Sequence, residues 1–242
     1  QLGVPIIAVD RAYNTLRNAG IMPDIVLMID AQDKVKDFFD FSDGAKVPAV
    51  AINLVASPAL FKHLHKNAKA VYGFLTANPF SVAMLWAYNE YGKEYACLLP
   101  GSVVYISAIA LAIKMGFKCI VSLGNDMIYH SPLEVHEDKA TDVPIPVRVY
   151  NSERYFVYTK DAFKSAVAHL EKYTIDVEGV KFLNCSHVEG LRIGGWQNCA
   201  FSEVRFDAAN DLDDAIRTMT ELSKIEVRED DPEWQLQSQI GN

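Results

Sequence analysis

The chain has 242 residues, of which 50% are apolar and 22% are charged, and this balance excludes disordered, collagen-like and fibrous proteins. Its 23 basic and 31 acidic side chains give a formal net charge of −8. The average surface therefore repels phosphate, which argues against a protein that binds nucleic acid through a basic face. The length suffices for one large domain with a buried core.

Two uncharged stretches are long enough to suggest a membrane span, Ala70–Asn89 and Tyr95–Ile113. Asn78-Pro79 interrupts the first and Pro100-Gly101 the second, so neither supplies the ~20 continuous apolar residues that a spanning helix needs. The N-terminus shows no secretory signal, and the cysteines form no C-x-x-C pair. We therefore expect a cytoplasmic protein with reduced thiols, no membrane span and no nucleic-acid partner.

Short apolar runs alternate with segments of helical periodicity along the first half of the chain. The apolar runs predict buried strands at Pro5–Val9, Ile25–Ile29, Val47–Val55, Ala68–Gly73 and Cys119–Leu123. The helical periodicity predicts helices at Ala12–Ala19, Lys34–Phe41, Pro58–His65 and Ser102–Met115. This alternation predicts an α/β fold with an open, mostly parallel, Rossmann-like sheet and helices on both faces. Such sheets bind ligands outside the carboxyl ends of their strands.

The second half of the chain begins with an interruption of this pattern. Mixed charges and three prolines predict a long loop over 124–154, followed by a helix at Lys160–Tyr173 and a strand at Lys181–Asn184. Acidic residues from Asp211 onwards predict a last helix that runs to about Leu222. We assign residues 1–225 to a single α/β domain and 226–242 to a polar tail.

Acidic side chains follow two of the predicted strands. Asp10 and Arg11 come after the first strand, and Asp30 comes after the second. At the carboxyl end of a parallel strand, a carboxylate can accept a sugar hydroxyl or bind Mg²⁺. Alternatively, Asp10 and Asp30 cap the helices that begin near Ala12 and Lys34.

The helix predicted at Ser102–Met115 begins after a proline–glycine turn. Gly101 lets the backbone approach a ligand closely, and the free N–H groups at the start of the helix, beginning at Ser102, attract phosphate or carboxylate. Alternatively, the segment is an ordinary turn before a helix that Ser102 caps and Gly116 ends.

Polar residues also follow the strand predicted at Cys119–Leu123, namely Gly124, Asn125, Asp126 and His130. Asp126 or His130 can act as a general base towards an acceptor hydroxyl, or one can orient the other. Alternatively, Asn125 and Asp126 form a turn and His130 lies on the surface. The sequence has no zinc-ligand spacing, no G-x-S-x-G motif and no Walker A motif, which argues against serine hydrolases and conventional nucleoside triphosphatases.

A glycine-rich loop, Glu189–Gly195, follows the strand predicted at Lys181–Asn184. Its Arg192 is suited to bind a phosphate or a sugar carboxylate through two parallel hydrogen bonds. Alternatively, the loop is a β-turn with an ion pair on the surface.

Several segments together resemble one family. They are Ala8–Ala12, Gly20–Val26, Ile29–Asp30, Gly101–Val104, Met115–Gly116, Ile120–Asp126 and Glu189–Gly194. In order and spacing they resemble the hydroxymethylpterin diphosphokinase-like (MptE-like) family, which includes the motility accessory factor glycosyltransferases of flagella. The resemblance extends from Ile6 to about Phe201 and implies a sialyltransferase-like fold.

Two departures from that family pattern favour one of its branches. Members begin with a strand and a G-x-G-P-S-L turn, and nothing before Pro5 matches it, so we expect a truncated member that lacks its first strand. Archaeal pterin kinases carry an acidic T-D-L-D-G-like cluster, whereas Met28–Asp33 has fewer acids. Because diphosphate transfer relies on metal-bridged phosphates, we favour the glycosyltransferase branch.

This branch implies transfer of a sialic-acid-like nonulosonic sugar from a CMP-activated donor to Ser or Thr of a protein such as flagellin. Asp126 or His130 would activate the acceptor hydroxyl, and Arg192 would bind the sugar carboxylate. The implied nucleotide- and substrate-binding residues are Asp10, Arg11, Asp30, Gly101, Ser102, Gly124, Asn125, Glu189 and Arg192. No metal site and no resident cofactor is implied.

Two other functions stay open. A hydroxymethylpterin diphosphokinase would bind ATP and use Asp30 and Asp126 to hold Mg²⁺. A nucleotide-binding or flagellar-assembly partner without catalysis would agree with the missing glycine-rich turn.

Overall fold

The computed structural model describes residues 4–30, 32–39, 41, 44–76, 96–98, 103–138, 141–147, 157–186 and 190–206. The strands are β1 (Ile7–Val9), β2 (Ile25–Met28), β3 (Val47–Asn53), β4 (Ala68–Thr76), β5 (Ala96–Leu98), β6 (Cys119–Ser122), β7 (Ile145–Val147), β8 (Val157–Thr159), β9 (Lys181–Asn184) and β10 (Gln197–Asn198). The α-helices are α1 (Ala12–Asn18), α2 (Pro58–Asn67), α3 (Val104–Lys114), α4 (Pro132–Asp138) and α5 (Asp161–Thr174), and Asp33–Phe38 and Phe201–Glu203 are 3₁₀ helices. Residues up to 98 belong to one compact unit, and residues 103–206 belong to a second.

The first unit is built on a five-stranded parallel sheet in the order β1-β2-β3-β4-β5. Val26, Val50 and Val71 are register partners on one face of this sheet. They share a buried core with Tyr13 of α1 and Leu60 of α2. In this order each strand lies next to the preceding one, always on the same side. Because crossover connections are nearly always right-handed, we expect the connections between these strands to lie on one face of the sheet.

The opposite face of this sheet is buried as well. Its register partners Leu27, Ala51 and Tyr72 are 0%, 3% and 8% exposed. Strands buried on both faces lose the alternation of polar and apolar residues, which is why they could be recognised as continuous apolar runs. The predicted fold class, an α/β protein with an open, mostly parallel sheet flanked by helices, is confirmed.

The second unit contains a three-stranded parallel sheet in the order β10-β9-β6 and an antiparallel pair, β7-β8. Ser122 of β6 lies opposite Asn184 of β9, so these two strands end at the same edge. Phe182 of β9 stacks on Trp196 with ring centroids 5.0 Å apart, and Leu170 of α5 is fully buried.

Helix α3 ends as predicted but begins differently. Gly116 has φ +83°, a left-handed conformation that glycine adopts readily, and its N–H donates to the Ile113 carbonyl at 2.9 Å. At the start of the helix the N-cap residue is Val103, whose side chain cannot cap. Ser102, which was predicted to cap this helix, lies outside the described residues.

Two other predicted elements differ from the structure. The segment 124–154 is not one long loop, because it contains α4 and also β7, which pairs with β8. Pro132 occupies the first position of α4, where a missing N–H costs nothing, and Pro146 lies in a two-stranded pair with no further neighbour on its side. The helix predicted at Lys34–Phe41 is a short 3₁₀ helix that ends at Phe38.

The remaining predicted elements in the described ranges agree with the structure to within three residues at either end. The last predicted helix, Asp211–Leu222, and the tail 226–242 lie outside the described residues, so the assignment of 1–225 to one domain stays a prediction. None of the helices in the described part of the chain has the length and apolar composition that crossing a bilayer requires.

Candidate functional site

Polar residues close four neighbouring strands of the first sheet at its carboxyl edge. Asp10 follows β1, Asp30 follows β2, Asn53 ends β3 and Thr76 ends β4. The Asn53 amide nitrogen donates to the Thr76 hydroxyl at 3.3 Å, and both residues are buried. Because α/β sheets bind ligands at this edge, the row is a candidate binding surface.

Asn53 and Thr76 are not among the residues predicted from the sequence. Each is the last residue of a strand and directly follows an apolar run. The same signal predicts Asp10 and Asp30, whereas Leu54 and Val55 continue the apolar pattern beyond Asn53 and obscure the end of β3.

Asp10 is the most deeply buried acid of this row, with 8% of its surface exposed. Burial raises the pKa of its carboxyl above the usual 3.8, and the nearby Asp30 charge adds to this rise. The Arg11 N–H, which donates to Asp10 Oδ1 at 2.7 Å, and the Arg11 charge oppose it. A buried acid with a second acid nearby is typical of a functional site.

The alternative interpretation, in which Asp10 and Asp30 cap helices, is wrong for both residues. In this described part of the chain the N-cap residues are Arg11 for α1 and Gln32 for the first 3₁₀ helix, and neither makes a side-chain cap hydrogen bond. Asp30 Oδ1 instead accepts the Gln32 N–H at 3.0 Å in a short turn. The Arg11 guanidinium lies over the Phe38 ring, 5.2 Å from its centroid.

In the second unit, the loop after β6 (residues 124–127) is fixed by the loop after β9. The Asn125 N–H donates to Ser186 Oγ at 2.8 Å, and the Asp126 carbonyl accepts the Leu191 N–H at 2.9 Å. Since β6 and β9 are neighbouring parallel strands, the loops that follow them meet at one edge. Two segments that were singled out separately in the sequence therefore form one site.

Met127, in the same loop, has a left-handed backbone although it is not glycine, with φ 56°. Its side chain is buried, and its carbonyl accepts the Thr159 hydroxyl at 2.8 Å. Such a conformation costs roughly 1–2 kcal/mol in a non-glycine residue, and it persists where surrounding contacts enforce it, often at functional sites. The strain supports a functional role for loop 124–127.

The loop after β9 requires glycine at position 190. A Cβ atom at this position would lie 2.6 Å from the Ser186 carbonyl oxygen and 3.1 Å from the Asp126 Cα. Both are backbone atoms, which cannot move aside as the end of a side chain can. Gly190 thus permits the close approach of the two loops.

Four polar side chains form a cluster beside loop 124–127: Tyr105, Ser122, Asn125 and Ser186. Ser122 Oγ and Ser186 Oγ are 3.1 Å apart. The Tyr105 hydroxyl is buried near Ser122 and Asn125, and burial raises the pKa of this hydroxyl above the usual 10 although those neighbours oppose the rise. Among the described residues, no hydrogen bond of normal geometry satisfies the buried Tyr105 hydroxyl or the buried Asn125 amide nitrogen, although Ser122 and Asn125 lie close enough to Tyr105 to lower its pKa. Because buried polar groups are almost always paired, both are candidate ligand contacts.

The sequence analysis did not identify Tyr105, Ser122 or Ser186. Their signal is weak, because a tyrosine in an apolar helix and serines next to strand ends are common in any core. The pairing of β6 with β9 brings Ser122 and Ser186 together, and helix α3 places Tyr105 beside Ser122.

Asp126, His130 and Arg192 are exposed. The His130 N–H donates to the Glu134 carboxylate at 2.8 Å, which fixes its backbone at the start of α4. Asp126 and His130 both lie in the segment between β6 and α4. Each stays a separate candidate for the base.

The predicted site residues divide between the two units. Asp10, Arg11 and Asp30 lie in the first unit, and Gly124, Asn125, Asp126, His130 and Arg192 lie in the second. Gly101, Ser102 and Glu189 lie outside the described residues. In the ranges that the structure describes, no three His, Cys, Asp or Glu side chains are grouped so that they could hold a metal ion.

Comparison with known proteins relates this chain to one family and one solved structure. The sequence matches the family model described as 6-hydroxymethylpterin diphosphokinase MptE-like over residues 2–131, more than half of the chain. The fold is similar to that of the MAf glycosyltransferase from Magnetospirillum magneticum AMB-1, with a TM-score of 0.67 and 17% sequence identity. That similarity covers 91% of this chain but only 33% of the glycosyltransferase. No curated protein sequence matches the chain. The family match confirms the resemblance noted in the sequence, and the chain belongs to the MptE-like family.

Proposed function

We propose that this chain is the nucleotide-binding part of a glycosyltransferase that moves a sialic-acid-like nonulosonic sugar from a CMP-activated donor to a Ser or Thr hydroxyl of a protein such as flagellin. The family match and the fold shared with the MAf glycosyltransferase support a transferase of this type. The proposal rests on the position of the Asp126 carboxylate. It is exposed on the loop after β6, and hydrogen bonds to the loop after β9 hold that loop in place. Such a loop holds a general base in position without reorganisation.

The proposed reaction needs a base for the acceptor. The Asp126 carboxylate takes the hydroxyl proton while the hydroxyl oxygen attacks the anomeric carbon, and CMP leaves with the electrons of the broken carbon–oxygen bond. Exposed Arg192 would bind the carboxylate of the sugar through its guanidinium. Asp10, Arg11 and Asp30, at a carboxyl strand edge, would contribute to nucleotide binding.

Asp126→Asn tests this role in the full-length protein. We expect turnover to fall by ~10²–10⁴, the usual effect of removing a positioned base, while CMP affinity stays within a few-fold of the parent. Release of CMP from the activated donor measures turnover, and calorimetry measures affinity. Asp176→Asn, which changes an exposed acid of the same unit, is the matched control and should leave both unchanged. Near-normal turnover of Asp126→Asn would contradict the proposal.

One observation favours a second candidate, an ATP-dependent pterin diphosphokinase. Asp10 and Asp30 lie at the ends of neighbouring strands, close enough for the Asp30 charge to raise the pKa of Asp10. Paired carboxylates are typical protein ligands for Mg²⁺, whose remaining positions are filled by water and by the phosphates of the nucleotide. For this enzyme, Asp30→Asn should lower Mg²⁺-dependent ATP affinity together with the rate, which separates the two candidates.

A further inference from the structure

Cys185 and Cys199 lie side by side where β9 and β10 end. These strands pair in parallel with Asn184 opposite Asn198, so each cysteine is the next residue along its strand. The two Sγ atoms are 3.6 Å apart, and the Cys199 N–H donates to the Asn184 carbonyl at 3.3 Å. Both thiols are free and half-buried, so a small oxidant can reach them.

The distance between the two sulfurs is that of thiols in contact, not of a covalent bond. A disulfide needs about 2.05 Å between its sulfurs and a Cα separation of about 4.4–6.8 Å. Neighbouring strands are about 4.8 Å apart, which falls within that Cα range. The bond can therefore form by rotation of two side chains while the pairing of β9 with β10 is kept.

We propose that Cys185 and Cys199 are a reversible thiol-oxidation site that a low-molecular-weight disulfide, such as oxidised glutathione, converts into an intramolecular disulfide. One of the two Sγ atoms attacks one sulfur of oxidised glutathione and releases one reduced glutathione. The other Sγ then attacks the protein sulfur of the mixed disulfide and releases the second. Two protein thiols lose two electrons and two protons, and the two glutathione thiols gain them.

Burial and the adjacent Cys199 thiol raise the pKa of Cys185. Because the thiolate is the attacking form of a cysteine, we expect the disulfide to form faster as the pH rises.

The proposed disulfide lies directly beside the residues that fix loop 124–127. Cys185 stands between Asn184, whose Oδ1 accepts the Ser186 N–H at 3.0 Å, and Ser186, whose Oγ accepts the Asn125 N–H at 2.8 Å. The Cys185 N–H itself donates to the Ser122 carbonyl at 2.9 Å. Oxidation would thus restrain the segment that holds the site loop, whatever reaction the site performs.

Peptide mapping of the full chain tests the disulfide. We expect oxidised glutathione to link the peptides that contain Cys185 and Cys199, and dithiothreitol to reverse the link, while exposed Cys119 is alkylated or forms a mixed disulfide. Cys199→Ser should prevent the link, and Cys119→Ser should not. A pair that accumulates only mixed disulfides, or that stays reduced while Cys119 reacts, would overturn the proposal.

Hydrogen exchange tests the coupling to the site loop. We expect amide exchange over 124–127 to slow at least several-fold on oxidation of the parent and of Cys119→Ser, but not of Cys199→Ser. A disulfide that forms without any change in exchange over this loop would overturn the coupling. This measurement needs no substrate, so its outcome is independent of the proposed transferase activity.

Discussion

Asp10 lowers the stability of the first unit at neutral pH, because its charged form is buried next to Asp30. A carboxyl whose pKa is raised on folding binds more protons in the folded state than in the unfolded state. The free energy of unfolding therefore decreases as the pH rises through the pKa of the folded protein. We expect Asp10→Asn to increase the free energy of unfolding by about 1 kcal/mol at neutral pH.

The gain from Asp10→Asn should shrink as the pH falls towards 3.8, the usual pKa of the group, because both states are then protonated. Urea unfolding at about pH 7 and about pH 4.5 measures it. The control is Asp37→Asn, an exposed acid of the same unit, which should show no comparable gain. A loss of stability in Asp10→Asn at neutral pH would show that the carboxylate makes favourable contacts. It would contradict the inference that the buried charge of Asp10 destabilises the first unit.

His63, on helix α2, makes the first unit sensitive to mild acid. Its Nε2 is buried without a hydrogen-bond partner among the described residues, and its ring contacts Phe41 with centroids 5.3 Å apart. Burial, with Lys36 and Lys66 nearby, lowers the pKa of His63 below the usual 6.5. As the pH falls below 6.5, His63 therefore takes up a proton more readily in the unfolded chain than in the folded chain. This difference stabilises the unfolded chain, so the free energy of unfolding falls as the pH decreases.

We expect His63→Phe to reduce this loss, since phenylalanine keeps the ring contact and does not titrate. The measurement is the free energy of unfolding from about pH 7.5 to about pH 5. Its slope against pH, which counts the protons taken up on unfolding, should be smaller in His63→Phe than in the parent by a fraction of a proton. His65→Phe, an exposed position on the same helix, is the matched control. Equal pH dependence in the parent and His63→Phe would contradict the role of His63.

At the scale of elements, the contact between the loops after β6 and β9 depends on Gly190. Gly190→Ala would bring a Cβ within 2.6 Å of the Ser186 carbonyl oxygen, so the loops must separate, at a cost of about 1–3 kcal/mol for overpacking. Gly194→Ala is the matched control, because the nearest neighbour of its Cβ, at 3.1 Å, is the end of the Glu171 side chain, which accepts the Gly194 N–H at 2.7 Å and can shift by a few tenths of an ångström while keeping that bond. Denaturant unfolding should show a clearly larger loss for Gly190→Ala, and equal losses would contradict the close-approach argument.

Elements with strong local signals were predictable from the sequence, and elements fixed by distant contacts were not. Strand β2 differs from its prediction by one residue because a continuous apolar run marks it, and β9, with two apolar residues between Lys181 and Asn184, has the predicted bounds. The 3₁₀ helix Asp33–Phe38 was predicted as an α-helix, since its apolar residues have helical spacing. Strand β7 was not predicted because it is short. It is fixed by pairing with β8, and local sequence periodicity carries no information about a partner strand.

At the scale of the whole molecule, parallel strands and their polar carboxyl ends could be predicted, but not which strand pairs with which. The position of Asp126 after β6 follows from local pattern, and its contact with the glycine-rich loop follows from the pairing of β6 with β9. That pairing joins Cys119 to Lys181, far apart in sequence, so the roles of Ser186 and Tyr105 became visible only in the structure.

The last prediction concerns the nucleotide that the protein binds. We expect CMP to bind more tightly than ATP and without Mg²⁺, because the proposed reaction uses a CMP-activated donor and Met28–Asp33 carries fewer acids than the cluster that diphosphate transfer relies on. The buried Tyr105 hydroxyl and Asn125 amide nitrogen are hydrogen-bond donors that suit an oxygen-rich ligand independently of a cation. Calorimetric titration of the full-length protein with each nucleotide, with and without Mg²⁺, measures both affinities. Tyr105→Phe and Ser102→Ala should each weaken CMP binding, whereas Asp176→Asn should not. ATP binding that strictly requires Mg²⁺, with no heat from CMP, would instead support the diphosphokinase.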